Sequence, residues 1–229
     1  MSSNLASEGR RFRLLVYDLD GTLLETLPDL HLATNLALAD RGHPPVTLEA
    51  ARSAIGDGAR ILVQRLCPAG SSEEEVDRTL ERFHHHYGRV CLQDSTLRDG
   101  ALDFVRRRAG TDRFQAILTN KPQSPTDRLV DHFGLRQWIF RSQGGDTPFG
   151  RKPSPEGLRG LIHLAGASPE TTLVIGDGPA DLEVARAGGC KCVRLDGGYG
   201  NPAQLDALPS DWQVGSFAEL ESLWPSIEG

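Results

Sequence analysis

Leu14-Leu15-Val16-Tyr17-Asp18-Leu19-Asp20-Gly21-Thr22 is the stretch that decides the architecture. An apolar run of this length reads as a strand buried on both faces, as in a parallel sheet. It ends in two acids, Asp18 and Asp20, separated by one residue, and on an extended chain such side chains point the same way. Gly21 then lets the chain turn away. Two carboxylates at a strand end can hold a cation and present a nucleophile. Taken alone, the stretch also fits an Asp-rich turn, because Asp and Gly are common turn residues.

Three further segments follow in order. Ala116-Ile117-Leu118-Thr119-Asn120-Lys121 is a second apolar strand, ending in a hydroxyl and an amide. Thr119 and Asn120 can donate hydrogen bonds to a phosphoryl oxygen there. Arg151-Lys152-Pro153-Ser154-Pro155-Glu156 sets Lys152 just ahead of a helix whose expected N-cap is Ser154, with Pro155 at its first position. Positive potential at a helix start favours anions. Leu173-Val174-Ile175-Gly176-Asp177 is another apolar strand ending in an acid, and Asp181 follows at a helix start. Asp177 and Asp181 fit a turn and a cap, and they equally fit a site for a hard cation. In open parallel sheets, ligands bind outside the carboxyl ends of the strands, where all these segments lie.

Taken together and in this order, Asp18-x-Asp20, Thr119 with Asn120, Lys152, and Asp177 with Asp181 resemble the haloacid dehalogenase superfamily of phosphohydrolases. The resemblance runs from about residue 13 to about residue 224. It implies an α/β fold, a doubly wound, mostly parallel, Rossmann-like sheet with an inserted all-helical cap. The alternation of apolar strands with helical stripes points to the same sheet. Strands are expected at 14–18, 114–119, 138–142, 173–177 and 191–195. Between the first two lies helical periodicity: one helix ended by Arg41-Gly42, others at 47–54 and 59–66, and a fourth capped by Ser71 or Ser72 and running to about Cys91. The expected division is a disordered lead-in at 1–12, a core at 13–24 and 96–229, and a cap at 25–95. Hinges are expected at Glu25-Thr26 and Gln93-Asp94-Ser95.

The chain has 229 residues, with 25 Lys and Arg against 31 Asp and Glu, for a net charge of −6. This is enough for one medium domain with an insertion. The acidic balance argues against a general nucleic-acid binder. No run of about 18 apolar residues suggests a membrane span. The start lacks an apolar signal core, so a cytoplasmic protein is expected, as a monomer or homodimer. The four cysteines, Cys67, Cys91, Cys190 and Cys192, lack zinc spacing and read as reduced structural thiols. His84-His85-His86 lies on an amphipathic helix, where successive rings point about 100° apart and cannot converge on one ion.

The resemblance assigns Asp18 as nucleophile and Asp20 as general acid and then base. It gives a magnesium ion to Asp18, the Asp20 backbone carbonyl and Asp177, with Asp181 supporting. Thr119, Asn120 and Lys152 would hold the phosphoryl oxygens. Retention of Asp20 favours phosphate esters over dehalogenation, since a leaving alkoxide needs a proton. Leu27-Pro28-Asp29-Leu30, Gly56-x-Gly58 in the cap, Gly144-Gly145-Asp146 and Gly197-Gly198-Tyr199-Gly200 look like phosphoglycolate phosphatases. Arg60, a lone cation beside the Gly56-x-Gly58 loop, is expected to meet the carboxylate of a small substrate. A hexose-phosphate mutase, a nucleotidase, a pyrophosphatase and a catalytically silent binding protein stay open at this point.

Overall fold

The computed structural model describes residues 12–229. From β1 (Leu14–Tyr17) the chain passes through the short β2 (Leu24–Glu25) into α1 (Leu27–Asp40), α2 (Leu48–Ala54), α3 (Ala59–Leu66) and α4 (Glu73–Val90). It returns through β3 (Thr96–Leu97). Helices and strands then alternate: α5 (Ala101–Arg108), β4 (Phe114–Leu118), α6 (Gln123–His132), β5 (Arg141–Gln143), α7 (Glu156–Leu164) and β6 (Thr172–Gly176). The chain ends with α8 (Pro179–Gly188), β7 (Lys191–Leu195), α9 (Pro202–Leu205), β8 (Trp212–Val214) and α10 (Phe217–Glu228).

Six of these strands form one parallel sheet in the order β5-β4-β1-β6-β7-β8. The apolar run at its centre explains why both faces are covered. Leu15 and Tyr17 face one core with Phe104, Leu129 and Phe217, while Leu14 and Val16 face the other with Leu158, Leu161 and Val184. Strands β4, β6 and β7 divide their residues the same way, so neither face has a polar stripe to show to water. The result is the expected doubly wound α/β sheet with a helical insertion.

The insertion has an apolar cluster of its own. Leu30, Ala37, Leu62, Val63, Phe83 and Tyr87 are among its buried residues. Helix α4 shows the local logic. Ser72 Oγ caps it by accepting from Glu75 N, three acids fill its first turn, and Val76, Thr79, Phe83 and Tyr87 form the buried stripe. The two chain crossings into the insertion pair as antiparallel β2 and β3, with Leu24 opposite Leu97. Asp29, fully buried, fastens them: it accepts from Asp94 N and Ser95 N at 2.9 Å and from Ser95 Oγ at 2.7 Å.

Several local expectations differ from the structure. The strand expected at 138–142 pairs only from Arg141, because Trp138 N and Ile139 N bond back to Leu135 O in a turn. Strand β8 has one fully inward residue, Val214, too little for a periodic signal. The N-cap of α7 is Pro155 rather than Ser154. Residues 1–11 of the expected lead-in lie outside the described residues, whereas Phe12 is fully buried in the core and belongs to it.

Candidate active site

The register of the sheet assembles the site. Tyr17 stands opposite Ile117 on one side and Ile175 on the other. Asp18, Thr119 and Asp177 therefore emerge at nearly the same level at the carboxyl ends of three adjacent strands. Lys152 joins them from the segment before α7, and Asp181 from the first turn of α8.

Lys152 is buried and bridges two acids. Its Nζ lies 2.6 Å from Asp181 Oδ1 and 2.7 Å from Asp18 Oδ1. The contact with Asp18 is a buried ion pair, so the ammonium sits directly against the carboxylate. Burial pushes Asp18 up to about 8, opposed by Lys152 and reinforced by Asp181 and Asp177. Burial also pushes Asp177 up to about 6, with Asp181 adding to the rise and hydrogen bonds from Thr22 and Tyr199 N opposing it. For Lys152, burial works against the charge, yet Asp18 and Asp181 hold the ammonium above its ordinary range.

Asp18, Asp177 and Asp181 each offer a carboxylate oxygen, and these oxygens lie within 4.8 Å of one another. If all three ionised, one ammonium would leave two negative charges uncompensated in a buried place. A divalent, oxygen-loving cation fits that imbalance and that donor set. The neighbours hold the acids in place. Asp177 accepts from Thr22 Oγ1 and, at 2.7 Å, from Tyr199 N, while Asp181 accepts from Gly178 N at 2.9 Å. Gly21 is required beside them: its φ is +85°, and a Cβ there would come 2.5 Å from Asp177 Oδ2.

Asp20 sits apart from this cluster. It accepts from Thr26 Oγ1 at 2.6 Å, and Lys121 Nζ grips both its oxygens at 2.8 and 3.0 Å. Thr119 Oγ1 accepts from Lys121 N at 3.2 Å, which leaves its own proton to donate. The Asn120 side chain is engaged within the protein. Its Nδ2 donates to Gly56 O at 2.9 Å and to Lys152 O at 3.1 Å. An amide has two such hydrogens, so this side chain ties the insertion's loop to the strand end.

The Gly56-x-Gly58 loop does reach the site. Gly58 has φ +89°, and a Cβ on it would stand 3.0 Å from Asn120 O. Arg60 does not reach the site. It opens α3 and pairs with Glu73 and Asp77 of α4. In this structure Arg60 lines neither of the cavities that Asp18 and Asp20 line, and two exposed acids one helix away hold its guanidinium. The histidine run also stays dispersed, with His86 bonded to Asp40. All four cysteines are free thiols.

Sequence reasoning passed over Lys121, Tyr87, Tyr199 and Thr22. Lys121 and Thr22 stand inside the stretches that were read, but nothing in an isolated lysine or threonine says what it will face. Tyr199 Oη accepts from Thr26 N at 2.7 Å and Leu27 N at 2.9 Å, while its own N–H holds Asp177. One residue thus links the entry to the insertion with the acid cluster. Asp18 and Asp20 line two cavities. One is a polar cleft shared with Lys152, Asp177 and Asp181. The other lies against the insertion and includes Gly56, Gly58, Phe83, Tyr87 and Lys121.

A family model for haloacid dehalogenase-like hydrolases matches residues 12–189. The chain is 36% identical over 204 residues to phosphoglycolate phosphatase 1 of Pseudomonas aeruginosa, covering 85% of this chain and 74% of that protein. It is 34% identical over 214 residues to a phosphoglycolate phosphatase of Aliivibrio fischeri, covering 91% of this chain and 94% of the relative. Its fold is similar to the crystal structure of a predicted phosphoglycolate phosphatase from Haemophilus somnus. The TM-score is 0.87 at 29% identity, over 93% of this chain and 98% of that one.

Proposed function

The chain belongs to the haloacid dehalogenase-like hydrolases, and from that premise we propose that it is a magnesium-dependent phosphatase whose substrate is phosphoglycolate. The observation that carries the reading is the buried set of Asp18, Lys152, Asp177 and Asp181, with Asp20 beside it. In this reading Asp18 is the nucleophile, Lys152 the cation that meets the phosphoryl group, Asp177 and Asp181 the acids at the metal, and Asp20 the separate proton carrier.

The chemistry follows from placement. An Asp18 carboxylate oxygen attacks phosphorus, and the bond from phosphorus to the leaving oxygen breaks as Asp20 delivers a proton to that oxygen. Asp20 then takes a proton from the water that attacks the aspartyl-phosphate, freeing Asp18 and phosphate. Lys152 offsets negative charge on the phosphoryl oxygens and on Asp18, and Thr119 donates its hydroxyl proton to the same group. Asp18, the Asp20 carbonyl and Asp177, with Asp181 in support, would hold a magnesium ion, which would supply charge neutralisation at the phosphoryl group. The insertion, residues 25–95, acts as a cap that excludes water.

Phosphoglycolate is supported by the names of the relatives and by the second cavity. Leu30, Ile55, Leu62, Phe83, Pro122 and Pro125 give that cavity apolar walls. The hydroxyls of a hexose would find few partners there and would be costly to bury. Magnesium chemistry and free thiols suit a cytoplasmic enzyme. We assign it as a monomer or homodimer.

The test is phosphate release from phosphoglycolate, sugar phosphates, nucleoside monophosphates and pyrophosphate, with and without magnesium. A magnesium-dependent preference for phosphoglycolate, abolished in Asp18→Asn, is expected. A preference for any other member of the panel would overturn the substrate, and no turnover by a folded protein would overturn the phosphatase.

A further inference from the structure

We propose that Lys121 and Tyr87 form a subsite for a carboxylate on the substrate's leaving group, and that this pair, not Arg60, sets specificity. The inference rests on the phosphatase reading above and adds the residues that recognise the part of the substrate away from phosphorus.

Lys121 follows the phosphate-binding strand end, and its side chain is buried. Its Nζ holds both oxygens of Asp20, the group that must stand beside the leaving oxygen. The same Nζ lies 4.6 Å from the centre of the Tyr87 ring, which comes from α4 of the insertion. The cation therefore stands between the proton carrier and the cap. Among the described residues lining this cavity, Lys121 is the one lysine or arginine.

Tyr87 supplies the second, independent observation. The residue is 3% exposed, it lines the cavity, and its Oη has no hydrogen-bond partner among the described residues. A buried hydroxyl without a partner is costly, and the cost is recovered when a ligand acceptor arrives. Its ring is already fixed, stacked on Phe83 at 5.5 Å with 7° between planes. None of the described residues uses the hydroxyl.

A carboxylate has two acceptor oxygens and suits one ammonium and one phenol. Because Lys121 already touches Asp20, the carboxylate must lie within a carbon or two of the ester oxygen. The ligand class is thus a short phosphorylated hydroxy acid. Away from the reacting groups, Leu30, Ile55, Leu62, Phe83, Pro122 and Pro125 give mostly apolar walls with His84 among them, so a longer polar leaving group would recover little of its lost hydration.

The test uses two non-hydrolysable probes in calorimetric binding with magnesium present. One is 3-phosphonopropionate, which carries the carboxylate; the other is propylphosphonate, which has a methyl group in its place. The parent protein is expected to favour the first by about tenfold or more, the scale of one charge-assisted contact. Lys121→Met should remove most of that preference. Tyr87→Phe should lower it by about three- to tenfold, and it keeps the stacked ring, so folding is not at issue. An affinity ratio near one in the parent would overturn the proposal. So would a ratio unchanged in both variants. If the parent releases no phosphate from any ester yet shows the preference and loses it in both variants, the subsite stands and the phosphatase reading falls.

Discussion

Asp29 offers the sharpest test of how the insertion is joined to the sheet. Its carboxylate is fully buried and accepts three hydrogen bonds, from Asp94 N, Ser95 N and Ser95 Oγ. Asp29→Ala removes the acceptor and leaves those donors facing a void. Bonds to a charged group contribute roughly 1.5–3 kcal/mol each, and losses within one cluster are not additive. A destabilisation of about 3–5 kcal/mol is expected, or about 10 °C in melting temperature for a chain of this length. Asp29→Asn restores one acceptor oxygen but turns an N–H against a donor, and should recover less than half. The assay is urea unfolding followed by two signals. Trp138, Trp212 and Trp224 pack against the sheet's core, so their fluorescence reports the core, while far-ultraviolet circular dichroism also reports the cap helices. In Asp29→Ala the dichroism should change at lower urea than the fluorescence, because the crossings have come loose. A loss below about 1 kcal/mol with coincident transitions would refute the idea that Asp29 fastens them.

Two further outcomes follow from the site. In the metal-free protein, burial raises Asp18 to about 8 and Asp177 to about 6. Acids raised this way favour the fold while protonated; that contribution is full below the unfolded carboxylate range and is lost as pH rises through about 6 and about 8. Calorimetric melting of the metal-free protein should fall as pH rises from about 4 to about 8 and then level off, with a shallower slope in Asp18→Asn, and magnesium should raise it more at the alkaline end; an equal slope in both proteins would contradict this. Arg60→Ala breaks only exposed pairs with Glu73 and Asp77. It should leave the Michaelis constant for phosphoglycolate unchanged, and a large rise would restore Arg60 to the site.

The backbone frame was legible in the sequence because its signals are local. Leu14 to Tyr17 had to be buried on both faces, and that requirement already implies a parallel sheet under two layers of helices. Cap helices announced themselves through their stripes and through Ser72. The strand-end acids were legible for the same reason, since parallel strands deliver their carboxyl ends to one edge whatever the details of packing.

What the side chains there do was decided only by tertiary structure. Arg60 sits four residues after Gly56 in a loop that enters the site, yet the helical rotation of α3 carries it to Glu73 and Asp77. Asn120 looked like a phosphate ligand, and its two amide hydrogens went instead to carbonyls of segments distant in the chain. Lys121 and Tyr87 are 34 positions apart and meet only because folding brings α4 of the insertion to the segment after β4. A sequence orders residues along one dimension and so specifies strand ends and helix faces. Which charge finds which partner depends on competition among groups that folding alone brings within 3 Å or so of one another.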